Sequence, residues 1–314
     1  MTSNIILHRN LGSPYAERAR LLLDYAGLDW NSCFTTKNYP RPTLEILSGG
    51  YSRRIPVLQI GADIYCDAYG IMTEIASRSG MQELHPQTLD GKTQELYQFI
   101  ETIGNNAILS SFTIFDFLKG YFKNLPLKDA IAFFSDRKKL LKTDPSLKKL
   151  RDRKASLPVA QSYLHKLNEC LSAASYLSRN SSPSAPDFAA FTMIWYQNML
   201  TNSKVIQPYK NLISWFEFMS SHLKSADQKV DEITALTIAK EHTPQSVPDE
   251  MTSSPNLGKK FDIIPSDIFG RALNIPLSGT LVGENKSTYI LKRDTPEIGT
   301  VHVHIPKKCT GACG

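Results

Sequence analysis

The sequence contains no uninterrupted apolar run approaching the roughly eighteen residues a membrane-spanning helix needs, which argues against a helical membrane anchor. It opens Met1-Thr2-Ser3-Asn4-Ile5-Ile6-Leu7-His8-Arg9, with no basic stretch leading into an apolar one, so no secretory leader is expected and a cytoplasmic location is. Cysteine is scarce. The five residues, at 33, 66, 170, 309 and 313, make neither an even disulfide framework nor a C-x-x-C pair, and reduced thiols are expected. There is little excess of either charge: +6 over 314 residues. Basic side chains do concentrate at 117–154, including Arg137, Lys138, Lys139, Lys142, Lys148, Lys149, Arg151, Arg153 and Lys154. A solvated helix face explains them, a contact for an anionic partner is the alternative, and nucleic acid is not an expected partner.

What is present is the composition of a globular protein, 41% hydrophobic and 21% charged, in a chain long enough for two domains and a remainder too short to stand alone. Residues 4–9 read as a short buried strand, and Gly12-Ser13-Pro14 combines a turn signal with a helix start. Ala19, Leu22, Leu23 and Ala26 recur at helical spacing up to a stop at Gly27. A second strand is expected near Trp30–Thr36, then a loop rich in Pro and Gly. Ile55–Ile60 and Ile64–Cys66 flank Gly61-Ala62-Asp63 as a hairpin with a three-residue connection, and a helix from Asp67 to about Arg78 closes the unit. The order β-α-β, β-β-α is thioredoxin-like. From Leu84 to Ser225 only helical segments are expected: Leu89–Ile103, Pro126–Leu141, Val159–Ala174, Asp187–Leu200 and Tyr209–Leu223. Residues 243–260 have linker composition, and Gly279–Val282, Thr288–Lys292 and Thr300–Ile305 read as a small meander docked on the main body. The expected fold is therefore an α/β thioredoxin-like domain at 1–82, an all-α domain at 83–242, and a linker with a β-rich appendage at 243–314.

Chemistry concentrates at two places. In Ser13-Pro14-Tyr15-Ala16-Glu17-Arg18-Ala19-Arg20, serine and proline are ordinary helix punctuation. A hydroxyl at a helix N-terminus can also donate to a sulfur anion that the helix dipole and free N–H groups stabilise. One residue can serve both roles. A free thiol of pKa near 8.5 is only about 3% thiolate at pH 7, and a two-unit depression, roughly 2.7 kcal/mol, makes it mostly thiolate. The second place is Arg53-Arg54-Ile55-Pro56-Val57-Leu58, followed eleven residues after Pro56 by Asp67-Ala68. Pro56 is either a strand-start proline or a cis-proline that turns the Ile55 backbone toward a peptide-like ligand, as in strand addition. Asp67 is a good N-cap by type, and that helix end could also receive a carboxylate beside the aspartate, with Arg54 balancing an acid at the ligand's other end. Glutathione, a tripeptide with an acid at each end and a thiol between, matches these groups.

Residues 4–225 resemble cytosolic glutathione S-transferases. The 13–20 segment is similar to the active-site junction of the omega, zeta and tau classes, with Ser13 at the catalytic serine or cysteine position. Ile55-Pro56 and Asp67-Ala68 match the family's cis-proline and its acidic-plus-serine pair. The resemblance implies a detoxifying transferase of the glutathione thiolate to an electrophilic small molecule, working as a homodimer without metal. It implies Ser13 as the catalytic residue and Tyr15, Lys37, Arg54, Ile55, Pro56, Asp67 and Ala68 as glutathione contacts. Ala68 stands where the family usually has serine, and Asp67 where it usually has glutamate, so a glutathione-binding or regulatory protein without turnover is the alternative. A glutathione-dependent disulfide reductase would normally carry a thiol at position 13.

Ser184-Ala185-Pro186-Asp187 resembles the family's capping box ahead of a core helix bearing Phe188, Phe191 and Trp195, with a role in folding. His302 and His304 share one strand face near Cys309 and Cys313, a pattern that a strand setting explains as well as a metal does. Cys33 and Cys66, on expected strands, read as buried inert thiols, and Tyr15 as packing or pocket lining.

Overall fold

In the computed structural model the described residues are 4–36, 38–143, 152–201, 205–224, 228–266 and 275–313. The strands β1 (Ile5–Arg9), β2 (Asn31–Phe34), β3 (Val57–Ile60) and β4 (Asp63–Cys66) form the first sheet segment, with β1 parallel to β2 and antiparallel to β3. Their side chains alternate between two cores, as a pleated strand dictates. Leu7, Leu58, Ile60 and Tyr65 face one way, onto α1 (Pro14–Tyr25) and α3 (Ala68–Ser79), while Val57, Ile64 and Cys66 face α2 (Pro42–Ser48). Each fully buried Leu or Ile contributes roughly 2 kcal/mol.

The helix α2 occupies a stretch expected to be loop. Pro42 opens it and Gly49, at φ 60°, closes it after seven residues, so the same punctuation that reads as loop bounds a short helix. The β3–β4 connection is two residues, Gly61-Ala62, because Asp63 already pairs with Ile60.

The helical portion comprises α4 (Gly91–Phe99), a π-helical turn at Ile100–Gly104, α5 (Asn105–Ser111), α6 (Ile114–Asn124), α7 (Leu127–Thr143), α8 (Arg153–Cys170), α9 (Ala185–Thr201) and α10 (Lys210–Ser221). The helix α6, not expected from the sequence, starts with a capping box of Thr113 and Asp116. At the head of α9, the Ser184 N–H donates to Asp187 at 3.0 Å and the Ser184 hydroxyl donates to Asp187 and Ser178. Asp187 also accepts from Leu177 N and Trp215 Nε1. The helix is buried on almost every face, with Phe188 and Phe191 fully enclosed and Trp195 partly so, and it packs against α1.

Two elements lie within a span expected to be helical but belong to the sheet. The strand β5 (Gln228–Val230) pairs parallel with β2, and α11 (Glu232–Glu241) packs Ala235 and Ile238 onto Ile6 and Cys33. Beyond them, β6 (Lys260–Pro265), β7 (Leu277–Glu284), β8 (Thr288–Thr295), β9 (Gly299–Pro306) and β10 (Thr310–Cys313) extend the same sheet in the order β10-β6-β7-β8-β9-β4-β3-β1-β2-β5. The expected appendage is therefore continuous with the first sheet through parallel pairing of β9 on β4. Val301, Val303 and Ile305 face the core shared with α2, while His302 and His304 face the other way.

A buried polar knot ties β1, β3 and α11. The Gln59 amide nitrogen donates to Gly61 O and Ala235 O, which leaves its oxygen to accept from His8 Nε2 at 2.8 Å. That fixes the neutral His8 tautomer, with Nδ1 unprotonated and without a partner. A proton there would be buried without an acceptor, and burial lowers the His8 pKa to about 4 against a Gln59 bond that raises it. The unfolded chain takes up that proton near pH 6.5 and the folded chain only near 4. Stability is complete above 6.5 and declines by about 3 kcal/mol as pH falls through this window. Urea unfolding at pH 7, 6, 5 and 4.5 should show the decline, and His8→Leu should flatten it whatever its effect on absolute stability.

Candidate functional site

The N-termini of α1 and α3 open into one cleft. Gly12, at φ 84°, turns the chain from β1 into Ser13, whose backbone is extended and whose Oγ accepts from Ala16 N at 3.4 Å. A side chain at Gly12 would meet Met199 and Leu125, so the second domain walls the approach to Ser13. The hydroxyl proton of Ser13 is not used in that capping contact. Pro14 follows at the first helical position, where its missing N–H costs nothing. Glu17 in the first turn is held by Arg9 at 2.7 Å and Arg20 at 3.1 Å.

Asp67 sits across the cleft at φ 68°, ψ 145°, a backbone region that is essentially glycine's and costs a side-chain-bearing residue about 1–3 kcal/mol. Its Oδ1 accepts from Tyr69 N at 2.8 Å and its carbonyl from Ile71 N, which fasten the start of α3. Ala68, the first helical residue, is buried and brings no hydroxyl. The Ile55–Pro56 peptide at the entry to β3 is cis, and so is Tyr39–Pro40.

Tyr15 keeps 37% of its surface exposed, yet desolvation at its hydroxyl, with the Glu101 and Asp67 carboxylates, pushes its pKa up to about 12. It is a neutral phenol at physiological pH. The sensitivity of one hydroxyl to both Asp67 and Glu101 puts the two helix starts and the π-helical turn around the same space. Glu101 pairs with Arg18, whose guanidinium also lies 5.3 Å over the Tyr15 ring. Burial works against the Arg18 charge, but Glu101 outweighs it and holds the guanidinium protonated. A π-turn of this kind, which lets Gly104 pass against the Tyr163 ring, is frequent at functional sites.

At the cleft's other end Arg54 is buried with its guanidinium 5.3 Å over Tyr51. Arg53 grips Asp136 of α7 through both carboxylate oxygens, at 2.6 and 2.7 Å, and Arg137 also reaches Asp136. Arg41 donates to the carbonyls of Thr36, Ser52 and Arg53, and its pKa is lowered to about 10 by burial and then by Arg137 and Arg53. Lys37 lies outside the described residues.

Residues 12–78 match the family model for the N-terminal domain of glutathione S-transferases. A GST-like protein from Pseudomonas syringae, solved by crystallography, is 25% identical, with 98% of each chain covered and a TM-score of 0.73. The chain belongs to the glutathione S-transferase family. A glutathione transferase family member from Pseudomonas fluorescens Pf-5, solved with two glutathiones bound, is 12% identical over 69% of this chain and 88% of its own, at a TM-score of 0.47. A glutathione S-transferase from Rhodospirillum rubrum F11 is 11% identical over the same shares, at 0.49. No curated protein matches the chain.

The family fold thus brings together Ser13, Tyr15 and Asp67 as neighbours of one cleft, with Ala68 at the α3 start and Arg54, Ile55 and Pro56 along the entry to β3. Sequence reasoning did not find the Arg18–Glu101 and Arg53–Asp136 pairs, whose partners lie 83 positions apart with no local pattern joining them. Among the remaining candidates, His304 Nε2 meets Asp63 Oδ1 at 2.9 Å and its ring stacks on Tyr65, a bond between strands. No group of three or more metal-ligating side chains occurs among the described residues, and the side chains of Cys309 and Cys313 fall outside them. Cys33 and Cys66 are buried, and burial pushes both thiols up, Cys33 to about 12. Within the basic stretch Arg137 turns to Asp136 and Arg153 to the Ser111 carbonyl, while Lys148, Lys149 and Arg151 lie outside the described residues. No helix among the described residues is long and apolar enough to cross a membrane.

Arg18 is 2% exposed, so Glu101→Ala should strand a buried cation and cost about 3–5 kcal/mol. Replacing both partners, Arg18→Met with Glu101→Leu, should recover most of that loss. Chemical denaturation of the three variants measures it; equal losses in the single and double variants would show that the pair is not coupled.

Proposed function

We propose that this chain is a glutathione transferase in which the Ser13 hydroxyl and the N-terminus of α1 hold the glutathione sulfur as a thiolate for attack on an electrophilic small molecule. The observation that carries the reading is that Ser13 caps α1 while its hydroxyl proton remains available, beside a cleft whose far rim is Asp67 in a glycine-like backbone conformation. Strain of that kind persists where a function requires the geometry. The ligand lies along Ile55 and cis-Pro56 in the manner of an added strand, its γ-glutamyl end at the start of α3 with Asp67 facing its ammonium, and its glycine carboxylate toward Arg54. Backbone N–H groups of α3 receive the γ-glutamyl carboxylate, because Ala68 has no hydroxyl to offer. Tyr15, neutral at working pH, lines the sulfur side. Lys37 completes the set as a basic contact from the loop between β2 and α2. The electrophile enters between Met199, Leu125 and the α1 N-terminus, where low polarity strengthens the hydroxyl–sulfur bond.

The thiolate is the nucleophile. A carbon–sulfur bond forms at the acceptor, the leaving group departs with the bonding pair, and the proton lost from the thiol passes to solvent. Removing one donor to a developing or resident anion typically costs about 10- to 1000-fold, and the partly open site here puts the expectation at the lower end. Ser13→Ala should raise the pKa of bound glutathione by about one unit and reduce kcat/KM for an aryl-halide acceptor roughly tenfold or more at pH 6.5, less at pH 8.5. Turnover unchanged at both pH values would sink the assignment of Ser13. Glutathione binding by calorimetry with no turnover on any of a panel of electrophiles would favour the non-catalytic alternative, which the Ala68 departure supports.

A further inference from the structure

The side of the cleft opposite Ser13 receives a residue from the far C-terminal end of the chain. The strand β9 runs parallel to β4 and carries Pro306 onto α3, where a side chain on Gly70 would meet the proline ring at 3.0 Å. Two residues later the Lys308 ammonium lies 5.2 Å from the ring centre of Tyr69 and 5.6 Å from that of Tyr97. Tyr69 is the second residue of α3, and its N–H is the one capped by Asp67. Tyr97 is 1% exposed, and its hydroxyl is raised well above the ordinary value by burial and then by Glu101, with Asp67 and Tyr69 also acting on it. Lys308 itself is exposed and stands against both aromatic rings at the rim of the cleft that holds Asp67, Glu101 and Arg18.

The local charge balance gives that position meaning. Asp67 and Glu101 place two carboxylates on this end of the cleft, and Arg18 is committed to Glu101. A ligand bearing an ammonium and a carboxylate on one carbon finds an acid for the first, while the second must approach two fixed negative charges with an alanine where a hydroxyl would have helped. A mobile cation on a four-carbon stem, resting on two aromatic faces within reach of the α3 start, offsets that repulsion. We propose that Lys308 is a ligand-binding residue that pairs with the α-carboxylate of the γ-glutamyl group, supplying from the C-terminal strands the contact that Ala68 cannot make. This inference rests on the glutathione reading given above.

The experiment compares two ligands by calorimetry on the full chain: glutathione, and 4-aminobutanoyl-cysteinylglycine, which is glutathione without that one carboxylate. Lys308→Met should weaken glutathione about five- to tenfold, as expected for loss of one partly exposed charge-assisted contact, and leave the analogue's affinity unchanged. Lys308→Arg should restore most of the glutathione affinity. The salt dependence of glutathione binding should also be shallower in Lys308→Met than in the unmodified chain. Equal glutathione affinity with and without Lys308, or equal weakening of both ligands, overturns the assignment while leaving the glutathione site in place. Failure of the unmodified chain to bind either ligand at millimolar concentration overturns the underlying reading as well, and the two failures are distinguished by that control.

Discussion

A sheet edge presents unpaired N–H and C=O groups and has to be covered, and in this chain the outer edge of β4 is covered by the chain's own β9. The pairing is held at one point by Asp63, 1% exposed, whose two carboxylate oxygens accept from Gln245 N and His304 Nε2, both at 2.9 Å. His304 then stacks on Tyr65, the residue opposite it in register. Because strand side chains alternate, a slip of one residue would turn Val301, Val303 and Ile305 out of the core they share with Ile64 and Leu281 and bury the two histidines instead. The register is therefore strongly specified. From it follow the path of residues 243–260 across the Asp63 side, the continuation of the sheet through β8, β7 and β6, and the arrival of Lys308 beside α3.

The cleft assembled above this frame is charged in an ordered way. Arginines 41, 53, 54 and 137 collect at the end near Tyr51 and α7, with Asp136 between two of them. Carboxylates 67 and 101 collect at the other end, with the first turns of α1 and α3 between. Arg41 shows the cost of such segregation, since its neighbours lower its pKa and backbone carbonyls rather than acids take its donors. An extended zwitterion with its ammonium at one end and a carboxylate at the other is complementary to that gradient. A compact neutral molecule gains nothing from it.

Local patterns were legible in the sequence wherever one short segment carried the whole signal. Ser13-Pro14 and Asp67 behave as the caps their types suggest, and the alternation in Val57-Leu58-Gln59-Ile60 sorts residues between two cores. The helix α2 was not legible because its seven residues sit between a proline and a glycine pair that read equally well as loop. The strand β5 escaped because its three residues are mostly polar and exposed, so pairing with β2 rather than burial makes it a strand. Contacts between distant segments left no trace at all. Asp63 and His304 are 241 positions apart, and nothing near either residue announces the other. The paired histidines at 302 and 304 were visible as a motif, yet what they do depends on a strand brought beside them only in the fold.

The arrangement at Gly12 links the two domains more tightly than their separate cores would require. The residue before Ser13 must adopt φ 84°, and the space where its side chain would be is bounded by Met199 of α9 and by Leu125 after α6. Ser13 is thus aimed by its own turn and enclosed by the second domain together. Since α1 packs against α9 and α3 packs against α1, a shift of the helical domain would move the enclosing wall and the helix that carries the hydroxyl as one body. In the proposed transferase that rigidity fixes the distance between sulfur and acceptor wall, which is what positioning a nucleophile demands. Variation in acceptor preference then has to come from the side chains of α6, α7 and α9 that line the wall, since the turn at Gly12 leaves the nucleophile's own position no room to adapt.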